Sequence, residues 1–173
     1  MSGLEGVVVA DTELSMVDGA NGELVVRGMP VRALAARARL EDAMALLWHG
    51  DLSRSEVLRA ELGAARVRVR EALGTWRHLP DAVATMRAAL APLEGATPVE
   101  LVAAAGEVLV GWSATEAGRA SLEPDPDAWH ADDLVRRLNG EARPALARAL
   151  GAYLCTVADH GMNASTFTAR VVA

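Results

Sequence analysis

The chain has 173 residues, a formal net charge of −6 and 51% hydrophobic residues, with aromatics at only 3%. That length supports one domain with a real core, because a chain of this size buries roughly 70% of its unfolded surface. The apolar balance argues against disorder, the acidic charge against a nucleic-acid partner, and the shortness of the apolar runs, broken by charged residues, against a membrane span.

All 17 basic residues are arginine, so a Schiff-base or phosphate-loop lysine is excluded. Cys155 is the one cysteine and cannot form an internal disulfide. With no secretory signal at the start, a reducing cytoplasm is the expected location.

Residues 6–31 read as β-structure. Val7-Val8-Val9 and Thr12 to Val17 precede the turn Asp18-Gly19-Ala20-Asn21-Gly22, and Leu24-Val25-Val26 follows. Asp-Gly and Asn-Gly both tolerate positive φ, so a small hairpin is predicted.

From Pro30 the pattern turns helical. Leu40 to Trp48 carries an apolar face through Ala43, Leu46 and Leu47, and Gly50 stops it. Ser53-Arg54-Ser55-Glu56 has the form of a capping box and opens an arginine-rich helix towards Leu73. Pro80 to Leu93 is the next helix, with Val83, Met86 and Leu90 on one face.

Thr97-Pro98-Val99-Glu100 is the sharpest start signal: an N-cap hydroxyl, proline at the first helical position and a glutamate that reaches back. The helix behind it, Val99 to Trp112, is apolar nearly all round, which predicts burial by its own core or by another subunit. Glu123 to Asp127 reads as a turn, too short to separate two cores. Ala131 to Leu138 is a short helix ended by Asn139-Gly140. Arg143 to His160 is the last long one, with a stripe of Leu146, Leu150, Leu154 and Ala158, and Ala149, Tyr153 and Val157 alongside. The expected organisation is a hairpin segment over 1–31 and one helical unit over 32–173.

Four histidines are the candidates for chemistry. His160 is expected at the C-terminal end of the last helix, followed by Gly161 as a terminator. There the helix dipole favours an imidazolium suited to a dianion, or the ring caps the final carbonyls. Asn163 could line the same pocket or serve as the N-cap of a helix starting near Ser165. His49, His78 and His130 read as structural. A His130/Asp132/Asp133 metal site is disfavoured because three ligands on one helical turn diverge.

The run Ala158-Asp159-His160-Gly161-Met162-Asn163-Ala164-Ser165-Thr166-Phe167-Thr168-Ala169-Arg170-Val171-Val172-Ala173 resembles a segment of the citrate synthase family. Gly161 stands where bacterial members usually have glutamate. Gly3 to Val8, Thr12 to Ser15, Asp18-Gly19, Gly22-Glu23-Leu24 and Arg27-Gly28 are similar to the family's N-terminal hairpin. Leu46 to Leu52, Leu79 to Val83 and Pro124 to Asp127 are similar to later blocks, in order. The resemblance implies a mainly α fold, the first part of a multi-helical citrate synthase-like large domain with a small N-terminal β-hairpin. It also implies that His160 hydrogen-bonds oxaloacetate and that Asn163 lines that site.

The family's catalytic base, two further histidines (one within Gly-Pro-Leu-His-Gly) and the oxaloacetate-clamping arginines lie further on than Ala173. The expectation is therefore the small subunit of a split enzyme, completed by a second polypeptide and inactive alone. It would condense an acyl-CoA such as acetyl-CoA with oxaloacetate, with the coenzyme A thioester as co-substrate and no cofactor. Dimerisation is expected through helices 80–93 and 97–118. The rival expectations are a non-catalytic truncated paralogue acting as a homodimeric interaction or regulatory protein, and a fragment of a longer enzyme.

Overall fold

A computed structural model of the chain describes residues 12–73, 78–162 and 164–172; the valine run 7–9 and Asn163 lie outside them. Strands β1 (Ser15–Asp18), β2 (Glu23–Val26) and β3 (Met29–Pro30) form an antiparallel sheet in the order β1-β2-β3, with Ser15 opposite Val26 and Val26 opposite Met29. The Asp18 carboxylate accepts from the Asn21 backbone N–H at 3.0 Å and from its side-chain amide at 2.7 Å, closing the predicted first turn. The second turn, and with it β3, is an addition to the expected hairpin. Its two residues, Arg27 and Gly28, both have positive φ, +46° and +82°.

Helices follow as α1 (Val31–Arg37), α2 (Leu40–His49), α3 (Ser55–Leu73), α4 (Ala82–Leu90), α5 (Pro98–Glu116), α6 (His130–Asn139), α7 (Pro144–Val157) and α8 (Ala164–Val172). Gly50 and Gly140 end α2 and α6 in the left-handed conformation, as their positions predict. At Thr97 the full reciprocal capping box forms, with Pro98 in the first turn. The second expected box does not. Ser53 donates its hydroxyl to Asp51 at 2.6 Å, and Asp51 caps a 3-10 turn over Leu52–Arg54 that delays α3 to Ser55. Asp51 outcompetes Ser53 because its carboxylate accepts both the hydroxyl and the backbone N–H of that residue.

One core cluster joins Met44 and Ala45 of α2, Leu58, Leu62, Ala65 and Val69 of α3, and Ala103 and Ala104 of α5. A second joins Val26, Leu34, Ala43, Leu46 and Cys155, so the sheet, α1, α2 and α7 share one apolar interior. Helix α5 packs against α3, α4 and α6 together, which accounts for its apolar circumference. On α4 the expected face is rotated. Val83 is 63% exposed, while Thr85 and Ala89 are buried. Thr85 earns its buried place by bonding both the N–H and the carbonyl of Leu79.

Charges are also buried, which periodicity cannot anticipate. Arg66, Arg137, Asp133, Glu41 and Asp42 have no exposed surface, and Glu107 is nearly as deep. Arg137 of α6 grips Glu107 of α5 with both terminal nitrogens and lies 3.3 Å from Asp133. Arg66 of α3 sits 3.4 Å from Asp133 and donates to the carbonyls of Asp125 and Ala128 at 2.7 and 2.8 Å. Arg136 and Arg137 take the carbonyls of Glu123 and Leu122, and the Asp125 N–H donates to Asp133 at 2.9 Å. The irregular segment between α5 and α6 thus has its backbone polar groups satisfied by side chains. Gly63 admits it, because a Cβ there would overlap the Pro126 carbonyl.

On α7 the expected leucine stripe is not the deepest face: Leu150, Leu154 and Ala158 are partly buried. Ala147, Gly151 and Cys155 are buried, whereas Leu146, Tyr153 and Val157 are 46%, 61% and 47% exposed. Small residues face inward because α1 and its C-cap Ala38 press directly on α7. A Cβ on Gly151 would overlap the Ala38 carbonyl, and the Cys155 thiol donates to the Arg39 carbonyl at 3.1 Å. Burial pushes that thiol up to about 11, so it is an inert packing group.

His130 is buried against Arg66, with Nδ1 3.4 Å from the guanidinium, and its backbone N–H donates to Glu41 at 2.7 Å. Burial, then the nearby Arg66 cation, push its imidazole down to about 3.

Two measurements check this packing. Gly63→Ala forces the Pro126 carbonyl away from α3 and is expected to cost about 2–3 kcal/mol in urea unfolding; a neutral result would mean the loop is not held there. His130 is neutral when folded but protonates near 6.5 when unfolded, so its contribution is full above that pH and is lost as pH falls towards 3. Between about pH 7 and pH 5 it should remove about 2 kcal/mol of stability. Glu41, whose carboxyl is raised by burial, acts in the opposite sense. His130→Gln should flatten the fall; an unchanged profile in that variant would assign the loss elsewhere.

Candidate functional site

Helix α7 ends at Val157, three residues short of His160. The Asp159 carboxylate accepts the Gly161 N–H at 3.3 Å, a local turn that competes with another helical turn. Gly161 then takes φ +86°, and α8 begins at Ala164. His160 therefore stands exposed on the connection between two helices, not on the helix end where the sequence pattern placed it. Asn163, the second expected site residue, lies outside the described residues.

The connection abuts the sheet. A Cβ on Gly161 would lie 3.4 Å from the Val17 Cγ2 and 3.8 Å from the Ser15 hydroxyl. Between them is a hollow of ≈ 530 Å³. Thr12, Glu13, Leu14 and Arg27 line it from the sheet side, and Asp159, Gly161, Met162 and Thr166 from the connection and α8. His160 is not among the lining residues. Arg27 pairs with Glu13 at 3.3 Å across the mouth. Of these groups, Asp159 adjoins the histidine in sequence, whereas nothing local marks Arg27 as its neighbour. Their meeting across more than a hundred residues of chain is a product of the fold.

The other histidines are structural in their contacts. His49 closes α2 on the exposed side. His78 lies 2.7 Å from Glu116 and stacks on Trp112 at 6.1 Å, while the Trp112 indole donates to the Leu79 carbonyl at 2.9 Å. At the third, His130 and Asp133 point inward and Asp132 outward, and the Asp133 carboxylate is engaged by Arg66, Arg136, Arg137 and the Asp125 N–H. Among the described residues no group of three or more potential metal ligands converges, and no helix is long and apolar enough to cross a membrane.

A mainly helical unit with a small antiparallel sheet and a histidine between its last two helices is an arrangement with known counterparts. The sequence profile described as "Citrate synthase, C-terminal domain" matches residues 3–173, and the chain belongs to the citrate synthase family. It is 36% identical to a citrate synthase of Haloferax volcanii over 98% of its own length and 51% of that protein. It is 34% identical to a 2-methylcitrate synthase of Mycobacterium tuberculosis over 98% of its own length and 48% of that one. Among solved structures, citrate synthase from Thermotoga maritima superposes with a TM-score of 0.78 at 22% identity, covering 98% of this chain and 49% of that one. Citrate synthase from Pyrobaculum aerophilum superposes with 0.67 at 26% identity, covering 98% and 50%. The chain spans about half the length of the relatives it matches.

Gly161 sets the exit angle of the connection. Gly161→Ala, forced into φ +86°, is expected to cost about 1 kcal/mol and to shift the His160 ring resonances. Unaltered stability and an unmoved His160 spectrum would show that the turn is not constrained.

Proposed function

We propose that this chain is the N-terminal portion, or a subunit, of a citrate synthase-like enzyme that condenses an acyl-CoA, acetyl-CoA or a close homologue, with oxaloacetate. The observation that carries this reading is the family match over 3–173, combined with an exposed His160 on a turn anchored by Asp159 and Gly161. An imidazole held outside its helix and facing solvent can hydrogen-bond a dicarboxylate in a cleft closed by further polypeptide. Asn163 belongs to the same proposed site.

In the reaction, a base removes a proton from the α-carbon of the acyl group, that carbon attacks the ketone carbonyl of oxaloacetate, whose oxygen takes up a proton, and water cleaves the thioester to release the coenzyme A thiol. His160 binds and orients the ketoacid, and the base comes from polypeptide beyond these residues, so the chain by itself is not expected to turn over. The exposed Leu146, Tyr153 and Val157 on the helix leading into the site support this reading. Such an apolar stripe is stabilised when covered, at about 25 cal/mol per Å² of apolar area. Relatives named for citrate and for 2-methylcitrate synthesis leave the acyl group open between acetyl and propionyl.

The second reading is a non-catalytic homodimer. Val83 on α4 and Leu101 on α5 are exposed on the two helices expected to meet a second copy.

Thiol release from acetyl-CoA with oxaloacetate, assayed on the chain alone and with the polypeptide encoded beside it, separates the two. Turnover is expected only from the pair, and His160→Ala in that pair should lower it by roughly 10²–10³-fold. A pair that releases no thiol ends the enzymatic reading. A stable dimer indifferent to oxaloacetate supports the second one.

A further inference from the structure

The hollow between the sheet and the α7–α8 connection has a lining whose charges suit a particular kind of molecule. Among the described residues it offers one cation, Arg27, and two carboxylates, Glu13 and Asp159, with Leu14 and Met162 as apolar wall. A dicarboxylate would meet more like charge than opposite charge there. A cation alone would leave the guanidinium unused. A zwitterion satisfies both signs at once. Its size, ≈ 530 Å³, falls within the range of about 300–1,000 Å³ typical of small-ligand sites.

Arg27 is also held at a cost. It is one of two non-glycine residues with positive φ among the described residues, in a turn position that favours asparagine or glycine. Its side chain is 30% exposed and, among the described residues, makes a single ion pair, at 3.3 Å, with a Glu13 that is 92% exposed. Its Nε has no acceptor among the described residues. An ion pair this open contributes little to stability, so the fold gains little from arginine at a strained position. Strain of this kind at a cavity wall points to a ligand.

We propose that this hollow binds a small α-amino acid with an aliphatic side chain. Its carboxylate is held by Arg27, its ammonium by Asp159 and Glu13, and its side chain by Leu14 and Met162. His160 is not among its described lining residues, so the assignment does not rest on the proposed condensation. The hollow nevertheless shares the Asp159–Met162 turn with that histidine, so occupancy ties the turn to the sheet and bears on where His160 stands.

Leucine is the probe, titrated by NMR or calorimetry against the full chain, with isovalerate (no ammonium) and isopentylamine (no carboxylate) as its two halves. Leucine should bind with a Kd at or below about 1 mM, and each half at least about 10-fold more weakly. Arg27→Asn suits the turn, so its Tm should equal or exceed that of the parent while leucine binding weakens by about 10-fold or more. Three results would overturn the assignment: no leucine binding up to ~10 mM, isovalerate binding as well as leucine, or unchanged affinity in a folded Arg27→Asn protein. None of them bears on thiol release by the pair, so the two proposals fail separately.

Discussion

The guanidinium groups of Arg66 and Arg137 lie in the interior where α3, α5 and α6 meet, and the rest of the architecture is arranged around them. A cation in that position is tolerable only when paired with opposite charge, since desolvating it costs several kcal/mol; the Arg66 Nε lies 3.4 Å from Asp133 as an ion pair without a hydrogen bond. Glu107 and Asp133 supply the opposite charge, and the carbonyls of Leu122, Asp125 and Ala128 supply further acceptors. Because Arg137 and Glu107, and likewise Arg66 and Asp133, sit on different helices, satisfying these pairs fixes how those helices cross. Because the acceptors sit on the segment between α5 and α6, the same requirement lays that segment along α3. Arginine suits the task better than lysine, as its planar fork reaches several acceptors at once, and this chain contains no lysine.

That rigid centre supports the site indirectly. Glu41 of α2 accepts the backbone N–H of His130 at the start of α6, so α2 is tied to the same network. Through α1 the packing continues to α7, where Gly151 and Cys155 meet Ala38 and Arg39 backbone. Backbone against helix leaves no slack for the helix to slide. The end of α7, and hence the turn that carries His160, is positioned by contacts made one to two turns earlier. The outer face of α7 has no counterpart within the described residues, and the chain spans about half the length of the relatives it matches.

Much of the fold is legible in local chemistry. Asp18 and Asn21 close a turn by hydrogen bonds within four residues. Thr97, Pro98 and Glu100 start a helix by satisfying one another's groups, and Gly50 and Gly140 end helices because only they adopt the required φ cheaply. Where reading by residue type misled, a long-range or competing partner was the reason. Ser53 had a better acceptor in Asp51. On α7 the deepest positions went to smaller residues that a close-lying backbone required, leaving Leu150 and Leu154 partly buried. For His160, a short turn through Asp159 replaced the helix end.

The residues alone carried the helical character, the turns, most helix limits and, through one terminal motif, the family. These are short-range properties: caps, propensities and apolar spacing act within a turn or two of the chain. Which face of α7 and α4 turns inward, which charges are buried and what lines the hollow beside His160 emerged from three-dimensional packing. Each depends on partners far away in the chain, such as Arg27 and Asp159 or Arg66 and Asp133, and no local pattern encodes the distance between them.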